Sequence, residues 1–164
     1  MPDKIDAPRI VQTEDERYAF IHLVILRSEM HAVLPPVLHE LFAAVKAQGL
    51  PVVPWFAHHL HLGGASFDFE ACIPVAETFV AIDRVQASIW PAGTIARTLY
   101  RGDYPGLPAA WGEFGTWIEH GGYSRAHHLY ERYTVHQGMT KDREAFVTEL
   151  SWPLLPKASE SEHA

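Results

Sequence analysis

The sequence predicts an α+β fold: duplicated strand–helix–strand–strand units form an antiparallel sheet, with two helices on one face and a central ligand cleft on the other. Three observations predict it. Two segments carry a helical stripe of apolar residues with the same spacing. Runs of branched and aromatic residues flank each of them. The two helical segments superpose residue on residue at one constant offset.

The first helical pattern runs from about residue 31 to residue 48. Leu34, Leu38, Leu41 and Val45 fall on one face of a helix. Pro35 and Pro36 are expected in its first turn, where proline costs no internal hydrogen bond, and Gly49 is expected to stop it. The second pattern runs from about residue 107 to residue 120, with Leu107, Trp111, Phe114 and Ile118 at the same spacing. Pro108 opens it and Gly121-Gly122 close it. Leu34 thus matches Leu107, Leu38 matches Trp111, Leu41 matches Phe114, Val45 matches Ile118 and Gly49 matches Gly122. Upstream, Ile21 and Ile25 match Ile95 and Leu99; downstream, the stretch from Glu70 to Val75 resembles that from Glu149 to Leu154. One domain over 1–164 is therefore read as two pseudo-repeats, about 8–76 and about 83–155, followed by a flexible tail over 157–164.

Strands are expected from Tyr18 to Leu26, Trp55 to Leu62, Ser66 to Val75, Val85 to Trp90, Thr94 to Arg101, Leu129 to Val135 and Ala145 to Trp152. Pro91-Ala92-Gly93 and Gly63-Gly64 read as turns. Alternation along the first strand sends Ile21, Leu23 and Ile25 under a helix, and Phe20, His22, Val24 and Leu26 to the opposite face. The repeat places Ala96, Thr98 and Tyr100 on that opposite face in the second copy. A sheet apolar on both faces, with only two helices to cover it, suggests a small-molecule cleft at the seam between the halves.

Composition excludes several classes. Apolar residues make up 48% and charged residues 20%, as in a folded chain rather than a disordered one. The net charge of −7 argues against a nucleic-acid partner, which calls for clustered Lys and Arg. The apolar run from Ala19 to Leu26 is far too short to span a membrane, and residues 1–6 carry no apolar signal segment. A cytoplasmic location is expected. Cys72 is the only cysteine and reads as a buried hydrophobe. Aromatic residues reach 12%, including five Trp, which is more than a plain core of this size calls for.

The most informative segment runs from His128 to Val135. Glu131 and Tyr133 alternate onto one face of a strand, a context that disfavours Glu. One reading is an exposed carboxylate on an edge strand. The other is a carboxylate in an aromatic pocket, paired with a cationic ligand or shifted toward general acid–base work. Trp111 stands where the other copy has Leu38, and its added bulk suits a pocket wall. Trp55 and Phe56 enter the third strand; His22 and Tyr100 lie on the strand faces assigned to the cleft. His59 belongs to a histidine-rich stretch in which His59 and His61 are expected on one face. Glu149 is a second candidate carboxylate; its recurrence as Glu70 in the other copy also fits a shared structural job, such as accepting loop backbone hydrogens. No metal is expected, because no third ligand stands at close spacing to the histidines. No phosphate loop, dinucleotide glycine pattern or nucleophile elbow is present, and no cofactor is expected.

Six motifs in order resemble the GyrI-like small-molecule-binding family, also called the bacterial transcription-activator effector-binding domain. They are Phe67-Asp68-Phe69-Glu70 leading to Ile73-Pro74-Val75, Pro91-Ala92-Gly93 with Ala96-Arg97-Thr98, Gly102-Asp103-Tyr104-Pro105-Gly106-Leu107, Ala110-Trp111-Gly112-Glu113-Phe114 through Trp117-Ile118, Glu131-Arg132-Tyr133, and Thr148-Glu149-Leu150 followed by Trp152-Pro153-Leu154. The resemblance implies a stand-alone binder of hydrophobic or aromatic ligands, some cationic, that senses or sequesters drugs or toxins. Glu131 matches the family's cleft glutamate, and Tyr133 shares its wall. The alternative it implies is a hydrolase of cyclopropane-bearing alkylating toxins, with Glu131 and Tyr133 as the catalytic pair. A second alternative is a protein-interaction module with a gyrase or regulator partner.

Overall fold

The computed structural model describes residues 5–61, 64–136 and 139–156. The start of the chain, Leu62, Gly63 and the expected tail over 157–164 lie outside the described residues. The fold is α+β and antiparallel, and it divides into two compact units, Glu14–Ala92 and Met1–Thr13 with Gly93–Ala164.

The strands in chain order are β1 (Arg9–Thr13), β2 (Glu16–Leu26), β3 (Phe56–His61), β4 (Ser66–Pro74), β5 (Gln86–Trp90), β6 (Gly93–Arg101), β7 (Ser124–Arg125), β8 (Leu129–Val135) and β9 (Val147–Leu155). The helices are α1 (Met30–Ala47) and α2 (Leu107–His120). In the first unit the order is β5-β2-β4-β3, with α1 against β2 and β4. In the second unit the order is β1-β6-β9-β8, with α2 against β6 and with β7 added on β9.

The strands joined at residues 91–92 do not pair with each other. β5 pairs with β2, from Glu16↔Trp90 to Phe20↔Gln86, whereas β6 pairs with β1, from Arg9↔Arg97 to Thr13↔Gly93. Each unit's outer strand therefore precedes, in the chain, the first long strand of the other unit. β1 has only five residues and no alternating apolar pattern, so periodicity did not reveal it.

Helix α1 buries Val37, Leu41 and Val45. It begins at Met30, next to the expected residue 31, so Pro35 and Pro36 lie inside it rather than in its first turn. Proline has no amide hydrogen, so the carbonyls four residues back, on His31 and Ala32, lose their helical donors. Both helices end at a glycine with positive φ, Gly49 at 73° and Gly122 at 82°, a conformation costly for other residues. The amide of Leu50 then reaches back to the Val45 carbonyl, and that of Tyr123 to Ile118.

Register decides which side chains share a face. In the first unit Ile21 pairs with Ala71 and Leu23 with Phe69, all buried; on the opposite face Val24 is 64% exposed. In the second unit the expectation is reversed. Ala96 and Tyr100 pack into the core with Leu107, Phe114 and Ile118 of α2, and so lie on the helix side. The repeat alignment of the first long strands had slipped by one residue, and a one-residue slip moves every side chain to the other face. A bulge corrects a second expectation. The register shifts between His59 and His61, so His59 pairs with Phe69 while His61 pairs with Asp68, and the two do not share a face.

Phe114 is fully buried among Trp111, Trp152 and Leu150. Phe114→Ala should lower the unfolding free energy by about 3–5 kcal/mol in chemical denaturation; a loss well under 1 kcal/mol would contradict this packing.

Candidate functional site

The second unit gathers four of the expected residues on the helix side of its strands. β8 and β9 pair Glu131 with Leu150 and Tyr133 with Thr148; β9 and β6 pair Thr148 with Tyr100. Antiparallel partners point to the same side, so Glu131, Tyr133, Thr148 and Tyr100 form one patch of that face. Helix α2 lies over it, and the stripe that buries Phe114 also turns Trp111 inward.

The centre of the patch is the Glu131 carboxylate, 8% exposed. Trp111 Nε1 donates to its Oε2 at 2.6 Å, and Tyr133 Oη donates to its Oε1 at 2.6 Å. Both are short, as charge-assisted bonds are. The bonds are needed because a buried carboxylate without partners is strongly destabilising. Both of these donors are neutral groups.

Aromatic rings enclose this group. Trp111 meets Trp152 edge-on, with centroids 5.4 Å apart. Tyr104 meets Tyr133 edge-on at 5.9 Å and stacks on Phe146 at 5.2 Å. Tyr104 opens a short helical turn, Tyr104–Gly106, in which the Asp103 carboxylate accepts from the Tyr104 amide. Tyr100 Oη donates to the Asp103 carbonyl and holds that turn against the strands. A side chain on Gly106 would strike the Tyr100 hydroxyl, so glycine permits this close approach. Tyr104, Phe146 and Trp152 were not among the expected ligand residues; the Asp103-Tyr104-Pro105-Gly106 stretch before the helix was the available signal for Tyr104.

The remaining candidates belong to the first unit. Phe56 is fully buried against Tyr18 and Trp90. Trp55 is half-buried just ahead of β3. His59 stacks on Phe69 with centroids 5.6 Å apart. His22 is exposed and bonded to Asp68, as is His61, both at 2.6 Å. The His22 ring, with desolvation opposing and His61 assisting, holds Asp68 below the usual carboxylate range. Among the described residues no cluster of three His, Cys, Asp or Glu is arranged to hold a metal.

Glu70 and Glu149 bind side chains, not the loop amides offered as an example of a structural job. Glu70 accepts from Tyr18 Oη at 2.9 Å and is bonded to His58 Nδ1 at 2.9 Å. Glu149 lies between Arg97 at 3.5 Å and Arg132 at 3.6 Å. Cys72 is fully buried, as expected of a small hydrophobe.

A model of the GyrI-like small molecule binding domain matches residues 6–155. The chain belongs to this family. No curated protein matches it significantly. The GyrI-like chain is similar in structure to the EcmrR C-terminal domain, at TM-score 0.80 and 19% identity, covering 92% of this chain and 98% of that one. It spans 59% of the EcmrR chain seen in a DNA complex, where 94% of the present chain aligns at TM-score 0.80 and 19% identity. A hydrolase from Listeria innocua aligns over 94% of each chain at TM-score 0.69 and 11% identity. SAV2435, solved bound to tetraphenylphosphonium, aligns over 96% of this chain and 98% of its own at TM-score 0.62 and 10% identity. Identities this low establish the shared fold alone. No described helix of this GyrI-like chain is long and apolar enough to cross a membrane.

Burial raises the phenol of Tyr133 well above its ordinary range, and the Glu131 charge adds to that. Burial, then Asp103 and Glu131, raise Tyr104; burial raises Tyr18. A phenol whose folded value exceeds the unfolded value of about 10 stabilises the fold fully below that pH, and the stability is lost as pH climbs through the folded value. Phenolate absorbance should therefore show at least three of the six tyrosines, Tyr18, Tyr104 and Tyr133 among them, ionising only as the protein unfolds above about pH 10. Six tyrosines titrating together in the folded protein would contradict it.

Proposed function

We propose that this GyrI-like domain binds hydrophobic aromatic cations at Glu131, and that it serves to sense or sequester such compounds. The observation that carries this reading is the buried Glu131 carboxylate, held by two neutral donors inside aromatic walls. A ligand cation brought to Glu131 adds a charge–charge attraction to the two hydrogen bonds from neutral donors. Aromatic walls suit such a cation twice, through apolar area and through the negative faces of their rings. The ligand must displace the Trp111 and Tyr133 bonds, so their replacement is part of its binding cost. The bound tetraphenylphosphonium of SAV2435 shows that one protein of this fold takes a cation of this class.

A second reading rests on the 2.6 Å bond between Tyr133 Oη and Glu131. A carboxylate joined to a phenol can pass a proton during hydrolysis of an electrophilic substrate, with Glu131 activating water. Binding and turnover separate in one measurement: ligand-induced thermal stabilisation, followed by mass spectrometry of the ligand.

Tetraphenylphosphonium should raise the melting temperature of the wild-type protein, and the rise should grow with the logarithm of its concentration above the dissociation constant. Glu131→Gln keeps the shape and loses the charge, and should weaken this ligand by about tenfold or more, since two unit charges about 6 Å apart attract by roughly 2–3 kcal/mol at an effective dielectric constant of about 20. Equal stabilisation of both proteins would rule out Glu131 as the cation's partner. A converted ligand in the mass spectrum would favour the hydrolase.

A further inference from the structure

Thr148 is the polar residue on this face whose bonding is incomplete. It is fully buried, and its Oγ1 has no hydrogen-bond partner. Its neighbours are all satisfied. Tyr133 Oη is committed to Glu131, Tyr100 Oη to the Asp103 carbonyl, Thr98 Oγ1 to the Asp6 carbonyl and Trp152 Nε1 to the Ala126 carbonyl. Buried polar groups are nearly always bonded, and each exception calls for a reason. Valine has the same shape without the hydroxyl, so packing alone does not require threonine here.

The position of Thr148 supplies the reason. It stands directly opposite Tyr133 on β8 and Tyr100 on β6, and one diagonal step from Glu131. Diagonal neighbours across antiparallel strands lie about 7–8 Å apart, which is within the span of a fused aromatic ring system. The phenol that a ligand must displace from Glu131 is the one facing Thr148. Moving it opens the hydroxyl to whatever takes its place.

We infer that Thr148 Oγ1 is a specificity-determining contact of the Glu131 site, which selects aromatic cations that also carry an amino or hydroxyl group on the ring. This rests on the Glu131 reading above. The carboxylate takes the positive charge, and the threonine hydroxyl, donor and acceptor at once, takes the ring substituent. A cation with no hydrogen-bonding group uses Glu131 and the aromatic walls alone.

The test compares two probes on the whole chain. Tetraphenylphosphonium carries no hydrogen-bonding group; proflavine is a flat acridinium cation with ring amino groups. Calorimetric titration of wild type and Thr148→Val should give unchanged affinity for tetraphenylphosphonium and a loss of roughly three- to tenfold for proflavine, the range of one net hydrogen bond. Thr148→Ser retains the hydroxyl and should keep wild-type selectivity. If Thr148→Val does not fold, Thr148→Ser against Thr148→Ala makes the same comparison, with the proflavine loss expected only in the alanine variant. Equal affinities across the hydroxyl-bearing and hydroxyl-free variants, or equal losses for both probes, would overturn the assignment to Thr148 while leaving Glu131 standing. Failure of the wild-type protein to bind either probe would overturn both.

Discussion

The second unit depends on the burial of one carboxylate. Glu131 sits on the helix side of β8, where an unpartnered charge would destabilise the packing of α2 on the strands. Two of its bonds lower that cost, and they come from different elements: Trp111 from α2 and Tyr133 from β8 itself. Once Trp111 is drawn to Glu131, its ring meets Trp152 and Phe114, and the apolar stripe of α2 is set in place. The same requirement orders the turn before the helix, because Tyr104 packs on Tyr133 and Tyr100 holds Asp103. A charge placed in a core thus organises the aromatic residues around it.

Comparable positions in the two units carry carboxylates with different partners. Glu70 on β4 lies between His22 and His58 in register, and Glu149 on β9 lies between Leu99 and Arg132. Glu70 is bonded to a phenol and an imidazole; Glu149 is flanked by two guanidinium groups. Glu70 shares its strand face with the buried Tyr18, Phe56 and Cys72, and Glu149 shares its face with Arg97 and Arg132. Glu131, on the helix side, is the one of the three surrounded by aromatic rings on the face that α2 covers. That difference of face, rather than residue type, separates a structural ion pair from a ligand-binding candidate.

Much of this was legible along the chain. Both helical stripes, the helix-ending glycines and seven strands follow from local periodicity, which needs no partner to be read. Glu131, Tyr133 and Trp111 stood out because each breaks a local preference: a glutamate in a strand, and a tryptophan where the matching helix has leucine. Other features were not legible, for physical reasons. β1 is too short for alternation to show, and its pairing with β6 is a contact between distant segments. The bulge between His59 and His61 shifts the register by backbone geometry, which composition does not report. Pro35 and Pro36 were expected in a first turn because proline favours that position, yet the helix extends past them at the cost of two bonds.

By itself, the sequence determined the element types and the aromatic surplus, and it singled out Glu131, Tyr133 and Trp111 as candidates, since these follow from side-chain chemistry and spacing. Tertiary structure decided which face each strand presents. In a sheet a one-residue slip inverts the faces, and only the pairing of β6, β8 and β9 sets that register. It placed Glu131 beneath α2, put Tyr100 on the same face across β9, and left the Thr148 hydroxyl buried and unmet between them.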